Sequence, residues 1–541
     1  PRTELDSPSE KDAAADKAKE APRTTPIDPG AMEDRLHVVP APAGNHGSLE
    51  AAQEHLFWLD GASRFGRERA LWTLPIRERD RSGPAPKKLM DDVESFSLSQ
   101  RGDHLLVRKE RALYVIPANG ETPADMEQHA VSLGGFELRI DPREEWRQMF
   151  LEAWRLERDY FYDPGLHGVD WEAVKARYLP LAERVTDRIE LNDVIAQMVA
   201  ELSALHIFVR GGDTPEEAHA LEPGRLGVRL VPVDGGARIE HVFVAPSEHL
   251  GPRSPLSEPH LGVRQGDIIA SVDGRPVTRD ETVDALLLGR AHERVRLGMR
   301  RGERAFDVIV EPITPKEEAD LRYTEWELSR RLRVERESDG RVGYVHLRAM
   351  GQANIGQWAE QFYAVFDRPG LVIDVRNNRG GNIDSWILEK LLRRAWFWWK
   401  PRAGSVSSNM QYAFRGHVVV LVNEWTASDG EAFAEGFRRL GLGKIYGVRT
   451  WGGEIWLNFD TGLADGGIAT AAQFGVYGPE GAWLIEGHGV EPDVVVENFP
   501  VATFEGEDAQ LERALNDLKA AIEADPRPTP PAPAYPTPAR R

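Results

Sequence analysis

Apolar positions follow two different periods along this chain, and the change from one to the other marks its most informative segment. Residues 418–422 form a continuous β-branched apolar run, typical of a strand that is covered on both faces. Between Glu431 and Arg438 the apolar residues recur at helical spacing. The pattern predicts a buried strand, a sharp turn and a helix, with Ser428 where the helix begins.

A serine at such a turn has two interpretations. Its hydroxyl can project from the turn as a nucleophile, while N–H groups of the first helical turn stabilise a developing oxyanion. Alternatively, Ser428 followed by Asp429 and a glycine is an ordinary helix N-cap.

A second segment, residues 371–375, is apolar except for Asp374 and predicts another buried strand, and it is followed by Gly380 and Gly381. Glycines allow a backbone to approach a ligand closely and point N–H groups at it. The two strand ends could meet at one site, although the glycines alone are equally consistent with a simple turn.

Two ionisable residues complete the candidate chemistry. Glu486 follows an apolar stretch, residues 483–485, which predicts a strand before a glycine-rich turn, and His206 lies among apolar residues. Taken singly, a glutamate at the position of Glu486 is usually just solvated, and a histidine such as His206 is more often a satisfied core residue than a base.

Together these segments resemble the serine peptidases of the tricorn and C-terminal-processing family, over roughly residues 135–500. The motifs that carry the resemblance are residues 144–150, 159–162, 167–171, 380–381, 427–430, 449–453 and 489–493. The resemblance implies acyl transfer on peptides without a metal or organic cofactor. It implies these roles: Ser428 as nucleophile, His206 as general base, Glu486 as the acidic end of the relay, and Asp429 and Gly381, with Gly380 beside it, as the oxyanion hole.

Three departures from the family pattern bear on the details. Gly453 stands where the processing branch has its lysine base, which argues against a Ser/Lys dyad and favours the tricorn-like branch. Leu205 stands where the tricorn relay has a serine, and a leucine cannot relay a hydrogen bond. Either Glu486 reaches the imidazole directly or through water, or Ser203 substitutes, or the base is poorly oriented and activity is low or absent.

The third departure concerns the substrate pocket. In residues 395–401 the tricorn pattern can carry an acidic specificity residue, but Trp399 and Lys400 offer no carboxylate. We predict that Trp399 and Trp451 line the substrate pocket. A helix end packed on the core, or a subunit contact, is the alternative for the aromatic cluster around Trp399.

Ahead of the catalytic region, residues 225–233 and 266–277 resemble a PDZ domain, with Asp273 and Gly274 as a hairpin turn. An extended peptide could add beside the strand that begins near Gly227, or the groove is vestigial. Short strand-like runs between residues 36 and 140 resemble closing blades of a β-propeller. So few strands cannot close one, so we interpret the chain as the C-terminal part of a longer protein.

The predicted architecture is multidomain, with partial all-β propeller blades, a small helical bundle, a PDZ-like β-barrel and an α/β crotonase-like (spiral ββα) catalytic domain. The predicted segments are a disordered or loop segment (1–33), propeller closing strands and linker (34–141), a helical domain carrying His206 (142–218), the PDZ-like domain (219–315), the catalytic domain (316–505), and a short helix with a proline-rich tail (506–541).

Composition narrows the partners. The formal net charge of −20 argues against nucleic acid and anionic membranes, and no apolar run approaches the length of a membrane helix. The absence of cysteine is compatible with the cytoplasm, and a periplasmic location is the alternative if a signal peptide precedes this sequence. We therefore predict a tricorn-like serine peptidase that cleaves short peptides and self-assembles. The alternative is a catalytically silent, PDZ-containing peptide-binding scaffold.

Overall fold

The computed structural model describes residues 43–535 apart from 62–68, 77–84, 215–220, 458–461 and the single positions 111, 136, 138 and 248, together with residues 39 and 41. The predicted segment 1–33 and the last six residues of the tail lie outside the described residues. Contacts divide the chain into two compact units, Pro1–Leu138 and Arg139–Arg541. Each is described by itself.

The first unit contains two antiparallel sheets. One has the order β1-β2-β3-β4 and the other β5-β6-β7. The strands are β1 (Asn45–Ala51), β2 (His55–Gly61), β3 (Arg69–Pro75), β4 (Lys87–Met90), β5 (Ser95–Leu98), β6 (His104–Lys109) and β7 (Ala112–Pro117). Leu105 and Val107 are fully buried and alternate with exposed neighbours, as a half-buried strand requires. Their assignment as propeller blades stays a prediction.

Three helices begin the second unit: α1 (Pro142–Tyr160), α2 (Trp171–Ala182) and α3 (Arg188–Ala200). Each begins after an aspartate whose side chain accepts a hydrogen bond from an N–H of the first turn. Trp154 and Trp171 lock the first two helices together, because each indole N–H donates to the other residue's carbonyl at 2.9 Å. The helices share an apolar core with residues of the catalytic region, including Ile455 and Ala472. This docking brings the loop that carries His206, and then β8 (Val209–Arg210), onto that region.

The next sheet is antiparallel in the order β14-β13-β11-β10-β9, with β12 paired to β11. Its elements are β9 (Val228–Val233), β10 (Gly236–Val242), β11 (Ile268–Val272), β12 (Arg275–Pro276), the short helix α4 (Val283–Leu286), β13 (Val295–Arg301) and β14 (Arg304–Val310). The predicted Asp273–Gly274 turn is confirmed: it joins β11 to β12, and both residues have positive φ, 49° and 83°. β9 is the last strand in the sheet order, so it lies at one edge of the sheet.

The catalytic region is built on a parallel sheet in the order β15-β16-β19-β20-β24. Its strands and helices are α5 (Pro315–Glu337), β15 (Val342–His346), α6 (Ala353–Tyr363), β16 (Gly370–Asp374), α7 (Asp384–Leu392), β17 (Trp398–Trp399), β18 (Ser407–Ser408), β19 (His417–Val422), α8 (Asp429–Arg439), β20 (Gly443–Gly447), β21 (Trp456–Leu457), β22 (Ile468–Ala469), β23 (Ala472–Phe474), β24 (Val494–Val495), α9 (Pro500–Phe504) and α10 (Ala509–Ala524). The parallel sheet and its covering helices are confirmed. The crotonase-like spiral stays a prediction.

The packing of the core explains why two strands, β16 and β19, are almost entirely apolar in sequence. Trp358, Phe433 and Phe437 pack on one face of the sheet, and α10 covers the other face through Leu515 and Leu518. A strand covered on both faces has no solvent side for polar residues.

One predicted strand is wrong. Residues 483–485 do not form a strand, and Trp483 makes only an isolated bridge to Tyr477. Ile485 has φ 66°, which ends any extended run, and its side chain is buried in the catalytic core. The apolar character of this segment reflects a buried turn. Glu486 follows that turn.

No helix of the described residues is long and apolar enough to cross a membrane.

Candidate active site

Ser428 lies at the turn between β19 and α8, with φ 55° and ψ −128°. A non-glycine residue in such a conformation costs about 1–3 kcal/mol and is found mainly at functional sites. The Ser428 N–H donates to the Glu431 carboxylate at 3.1 Å. The turn is thus strained and is held by a residue of its own helix.

The glycine loop after β16 lies directly against this serine. A Cβ atom on Gly380 would stand 2.5 Å from the Ser428 Cβ and 2.9 Å from its Oγ. Because Gly380 also has φ 76°, only glycine fits here without strain. The two segments quoted for the nucleophile and the oxyanion hole therefore meet in the fold.

The oxyanion donors have different surroundings. The Gly380 N–H donates to the Asn378 side chain at 2.8 Å and is thereby satisfied. The Gly380 carbonyl accepts from the Met350 N–H at 2.7 Å, and the Asn382 N–H donates to the Met350 carbonyl at 2.8 Å, but no acceptor for the Gly381 N–H occurs among the described residues. Asp429 provides the first N–H of α8, which has no partner inside the helix.

Residues 450–455, here called the strap, run past the turn that carries Ser428, the predicted nucleophile. The Glu431 carboxylate is fully buried and accepts hydrogen bonds from the Thr450 hydroxyl, from the Gly452 N–H at 2.7 Å and from the Gly453 N–H at 3.0 Å. Burial raises the pKa of Glu431, and these hydrogen bonds, with that from Ser428, oppose the rise. Glu431 therefore ties the strap to the turn that carries Ser428.

Glu486 ties the other end of the strap to the loop that carries His206, the predicted base. One oxygen accepts from the Leu205 N–H at 3.0 Å, and the other from the Glu454 and Ile455 N–H groups at 2.6 and 2.9 Å. Leu205 directly precedes His206, so the carboxylate holds the backbone beside this histidine rather than its ring.

His206 is only 5% exposed. Its imidazole and the Trp451 ring pack edge to face, with 5.3 Å between the ring centroids. Burial lowers the pKa of His206, while the charge of Glu486 and the backbone of Ile455 work against that decrease. The Nδ1 atom is buried without a hydrogen-bond partner. Within the described part of the chain, no hydrogen bond joins the imidazole to Ser428 or Glu486.

The remaining predicted residues lie apart from these contacts. Ser203 is exposed with φ 51°, and no described hydrogen bond connects its hydroxyl to His206 or Glu486. Trp399 is 42% exposed on the β17–β18 ribbon and packs on Phe397. No group of three or more residues able to hold a metal ion was found among the residues described.

Two buried carboxyl groups were missed by the sequence reasoning: Glu431 and Glu454. The first had a signal, since a glutamate three residues after an N-terminal serine is half of the capping-box pattern. Glu454 had none, because nothing in residues 450–455 indicates that its side chain turns inward. It is 1% exposed, its Oε1 accepts from the Trp456 indole at 2.9 Å, and its Oε2 has no partner.

We expect Glu454 to make stability depend on pH. Burial raises its pKa from 4.5 to about 9, against the Trp456 hydrogen bond. Between these values the folded state holds a proton that the unfolded state has lost, so unfolding free energy falls as pH rises, by up to about 1.4 kcal/mol per pH unit. Glu454→Gln abolishes this contribution. Urea unfolding at pH 5.5, 7 and 8.5 should therefore show that the unfolding free energy of the variant increases relative to that of the wild type as pH rises.

The matched control is Glu523→Gln, which removes an exposed carboxylate at the end of α10. Its stability should follow the wild type at all three pH values. Parallel pH profiles for wild type and Glu454→Gln would contradict a protonated, buried Glu454.

Three family models match the second unit in succession. They are the tricorn protease C1 domain at residues 142–200, the tricorn protease PDZ domain at 224–315, and peptidase family S41 at 341–496.

Comparisons over nearly the whole of this chain agree with these matches. Tricorn protease homolog 1 of Streptomyces coelicolor is 34% identical over 524 residues, which are 94% of this chain and 48% of the relative. A putative tricorn-like protease C-terminal subunit of Sulfurisphaera tokodaii is 30% identical over 493 residues, 90% of this chain and 56% of the relative. The crystal structure of the tricorn protease has the same fold, with a TM-score of 0.80 at 24% identity over 90% of this chain and 47% of that one.

The chain spans about half the length of these relatives. The three matched domains follow one another along the chain, and the described sheets and helices occupy the matched ranges. The chain therefore belongs to the tricorn proteases and their homologues, with a catalytic region of peptidase family S41.

Proposed function

We propose that the chain is a serine peptidase of the tricorn type that hydrolyses short peptides through an acyl-enzyme on Ser428. The observation that carries the proposal is the strained Ser428 turn, seated against Gly380 and beside N–H groups of Gly381 and Asp429. A nucleophile on a strand-to-helix turn, facing backbone donors, is the arrangement that acyl transfer requires.

In this mechanism the Ser428 Oγ attacks the peptide carbonyl carbon while His206 takes the hydroxyl proton. The N–H groups of Asp429 and Gly381 donate to the oxyanion that forms. The tetrahedral intermediate then expels the amine, which receives the proton from His206, and an ester remains on Ser428. Water, deprotonated by His206, then attacks the ester carbon. The bond from this carbon to the Ser428 Oγ breaks, the Oγ takes the proton back from His206, and the acid is released.

Glu486 supports the base in two ways. Its charge favours the imidazolium form of His206, and its hydrogen bond to the Leu205 N–H positions the base loop. This backbone anchor is an alternative to the serine relay that Leu205 removes. Ser203 remains the other candidate for a relay. Hydrogen bonds between nucleophile and base are often long before substrate binds, so the open geometry of His206 is compatible with this role.

The proposal includes the finer assignments from the sequence. They are propeller blades in residues 34–141, a PDZ-like barrel, a crotonase-like catalytic domain, a pocket containing Trp399 and Trp451, self-assembly into a homo-oligomer, and a cytoplasmic location. No metal or organic cofactor is required by the chemistry of Ser428 and His206.

A catalytically silent peptide-binding scaffold is the second candidate. It is favoured by Leu205 in the relay position and by the unpartnered Nδ1 of His206. A wrongly oriented base can lower activity by several orders of magnitude. In that case the PDZ-like domain would carry the function.

A panel of fluorogenic tripeptides, assayed with a chelator present, distinguishes the two candidates. We expect hydrolysis, and we expect a fluorophosphonate probe to label the protein once per chain, with the adduct on the peptide that contains Ser428. The reason is that both need an activated hydroxyl beside oxyanion donors.

Excess tripeptide substrate should protect Ser428 from the probe, and Ser385, an exposed serine of α7, should stay unlabelled. No hydrolysis together with no labelling would favour the scaffold. Labelling at another serine would reject Ser428 as the nucleophile.

A further inference from the structure

One groove of the second unit lies on the PDZ-like domain, away from Ser428. Its volume is about 820 Å³, and it runs between the edge strand β9 and the helix α4. β9 pairs with β10 on one side only, so its other backbone edge faces the groove. An exposed edge of this kind binds an extended peptide as an additional strand, and PDZ domains use that mode.

The loop before β9 decides how such a peptide can end. Backbone N–H groups in loops of this kind capture the terminal carboxylate of a ligand. Here the Gly227 N–H already donates to the Glu318 Oε2 at 3.1 Å. Glu318 lies in the first turn of α5, so a carboxylate of the chain itself occupies the loop.

The loop has little freedom to turn away from Glu318. The Ser254 hydroxyl donates to the Leu226 carbonyl at 2.9 Å, and the Phe243 N–H donates to the Gly227 carbonyl at 3.0 Å. Gly227 has φ 63°, and a Cβ there would stand 2.7 Å from the Ser254 Cα. The N–H of Gly227 is therefore fixed in the direction of the glutamate.

Charges around Glu318 support the same conclusion. Burial raises the pKa of Glu318, whereas the Gly227 hydrogen bond and the positive charges of Arg225 and Arg322 lower it. The local positive charge that would favour a ligand's carboxylate thus already serves Glu318. A second carboxylate at this place would meet a like charge in a partly buried site, which is strongly unfavourable.

The groove also has an apolar lining. Val228, Leu230 and Val283 line the groove, and Phe504 of α9 borders it from the catalytic region. The Phe504 side chain is 78% exposed and lies 5.8 Å from the Arg229 guanidinium. Apolar side chains of an extended segment find complementary surface here without any need for a chain end.

We propose that this groove binds internal, extended segments of polypeptides by strand addition to β9, and that Glu318 excludes ligands whose free C-terminal carboxylate would enter the loop. The ligand class is therefore unstructured polypeptide that continues beyond the groove. This inference concerns a binding site separate from Ser428 and goes beyond the proposed hydrolysis.

An array of random decapeptides tests the proposal, with each sequence immobilised through its N-terminus and presented both as a free acid and as a C-terminal amide. The protein is labelled and carries Ser428→Ala, so bound peptides are not consumed and failure of the peptidase proposal cannot be mistaken for failure of this one. We expect the same sequences to bind in both forms, with dissociation constants within about twofold by fluorescence anisotropy. Adding four residues after the decapeptide should not weaken binding.

Glu318→Ala in the same background frees the Gly227 N–H. It should strengthen binding of free acids by about tenfold or more and leave the amides unchanged. Glu318→Gln, which keeps the side-chain shape and removes the charge, should shift binding in the same direction if the alanine variant folds poorly. Asp320→Ala is the matched control, since it removes an exposed carboxylate two residues further along the same helix.

Three results would overturn the proposal. They are a tenfold preference for free acids by the protein with Glu318 intact, equal binding of acids and amides by both Glu318 variants, and the absence of any binding sequence in either form.

Discussion

Ser428→Ala should reduce kcat/KM for the fluorogenic tripeptides by at least about 10³-fold, because it removes the atom that forms the acyl-enzyme. The replacement leaves the strained turn and the oxyanion donors in place. Activity that persists should therefore be no more than the slow reaction that positioning and oxyanion stabilisation support. Initial rates at substrate concentrations below KM measure the loss directly.

Ser385→Ala is the matched control, because Ser385 is an exposed serine near the start of another helix. Its rate should equal that of the wild type. The Ser428→Ala protein should also unfold at the same urea concentration as the wild type to within experimental error, or slightly higher, since the turn loses no buried contact. Equal hydrolysis by wild type and Ser428→Ala would reject the nucleophile and the mechanism built on it.

The elements that carry this serine were predictable because their periodicities are strong and local. β19 is a continuous apolar run covered on both faces, and α8 follows with apolar residues at helical spacing. The same is true of α10, the short helix predicted within residues 506–541, which the structure places at Ala509–Ala524. Long periodic patterns indicate which side chains are buried, and the sheet and its helices bury these side chains against each other.

The error at residues 483–485 shows where that reasoning stops. Buried turns are as apolar as buried strands, and only the positive φ of Ile485 distinguishes them. The inward direction of Glu454 was likewise not predictable, since it depends on contacts with residues distant in sequence. The backbone anchoring of Leu205 by Glu486 spans 281 positions and belongs to the same class.

These distant contacts give the candidate site its organisation. Glu431 joins the turn that carries Ser428 to one end of the strap, and Glu486 joins the other end to the loop that carries His206. Ser428 and His206 are thus positioned relative to each other by one buried carboxylate, one half-buried carboxylate and one short segment. A change in either carboxylate should alter catalysis without touching a reacting atom.

Glu486→Gln should lower kcat by about 10²- to 10⁴-fold, by analogy with other triads that lose their acidic member. The carboxylate has two accepting oxygens, one facing Leu205 and one facing Glu454 and Ile455. An amide offers one oxygen, so its NH₂ group must face N–H donors on one side. Either the strap or the base loop is then released, and His206 loses its orientation.

The pH profile separates this role from a purely structural one. The charge of Glu486 raises the pKa of His206, so its removal lowers that pKa. A general base must be deprotonated, and the acidic limb of kcat/KM should therefore move to lower pH in Glu486→Gln. Glu491→Gln removes an exposed carboxylate five positions away and should shift neither rate nor limb. If Glu486→Gln lowers the rate but leaves the limb in place, Glu486 acts through the backbone alone, and its charge does not reach the base.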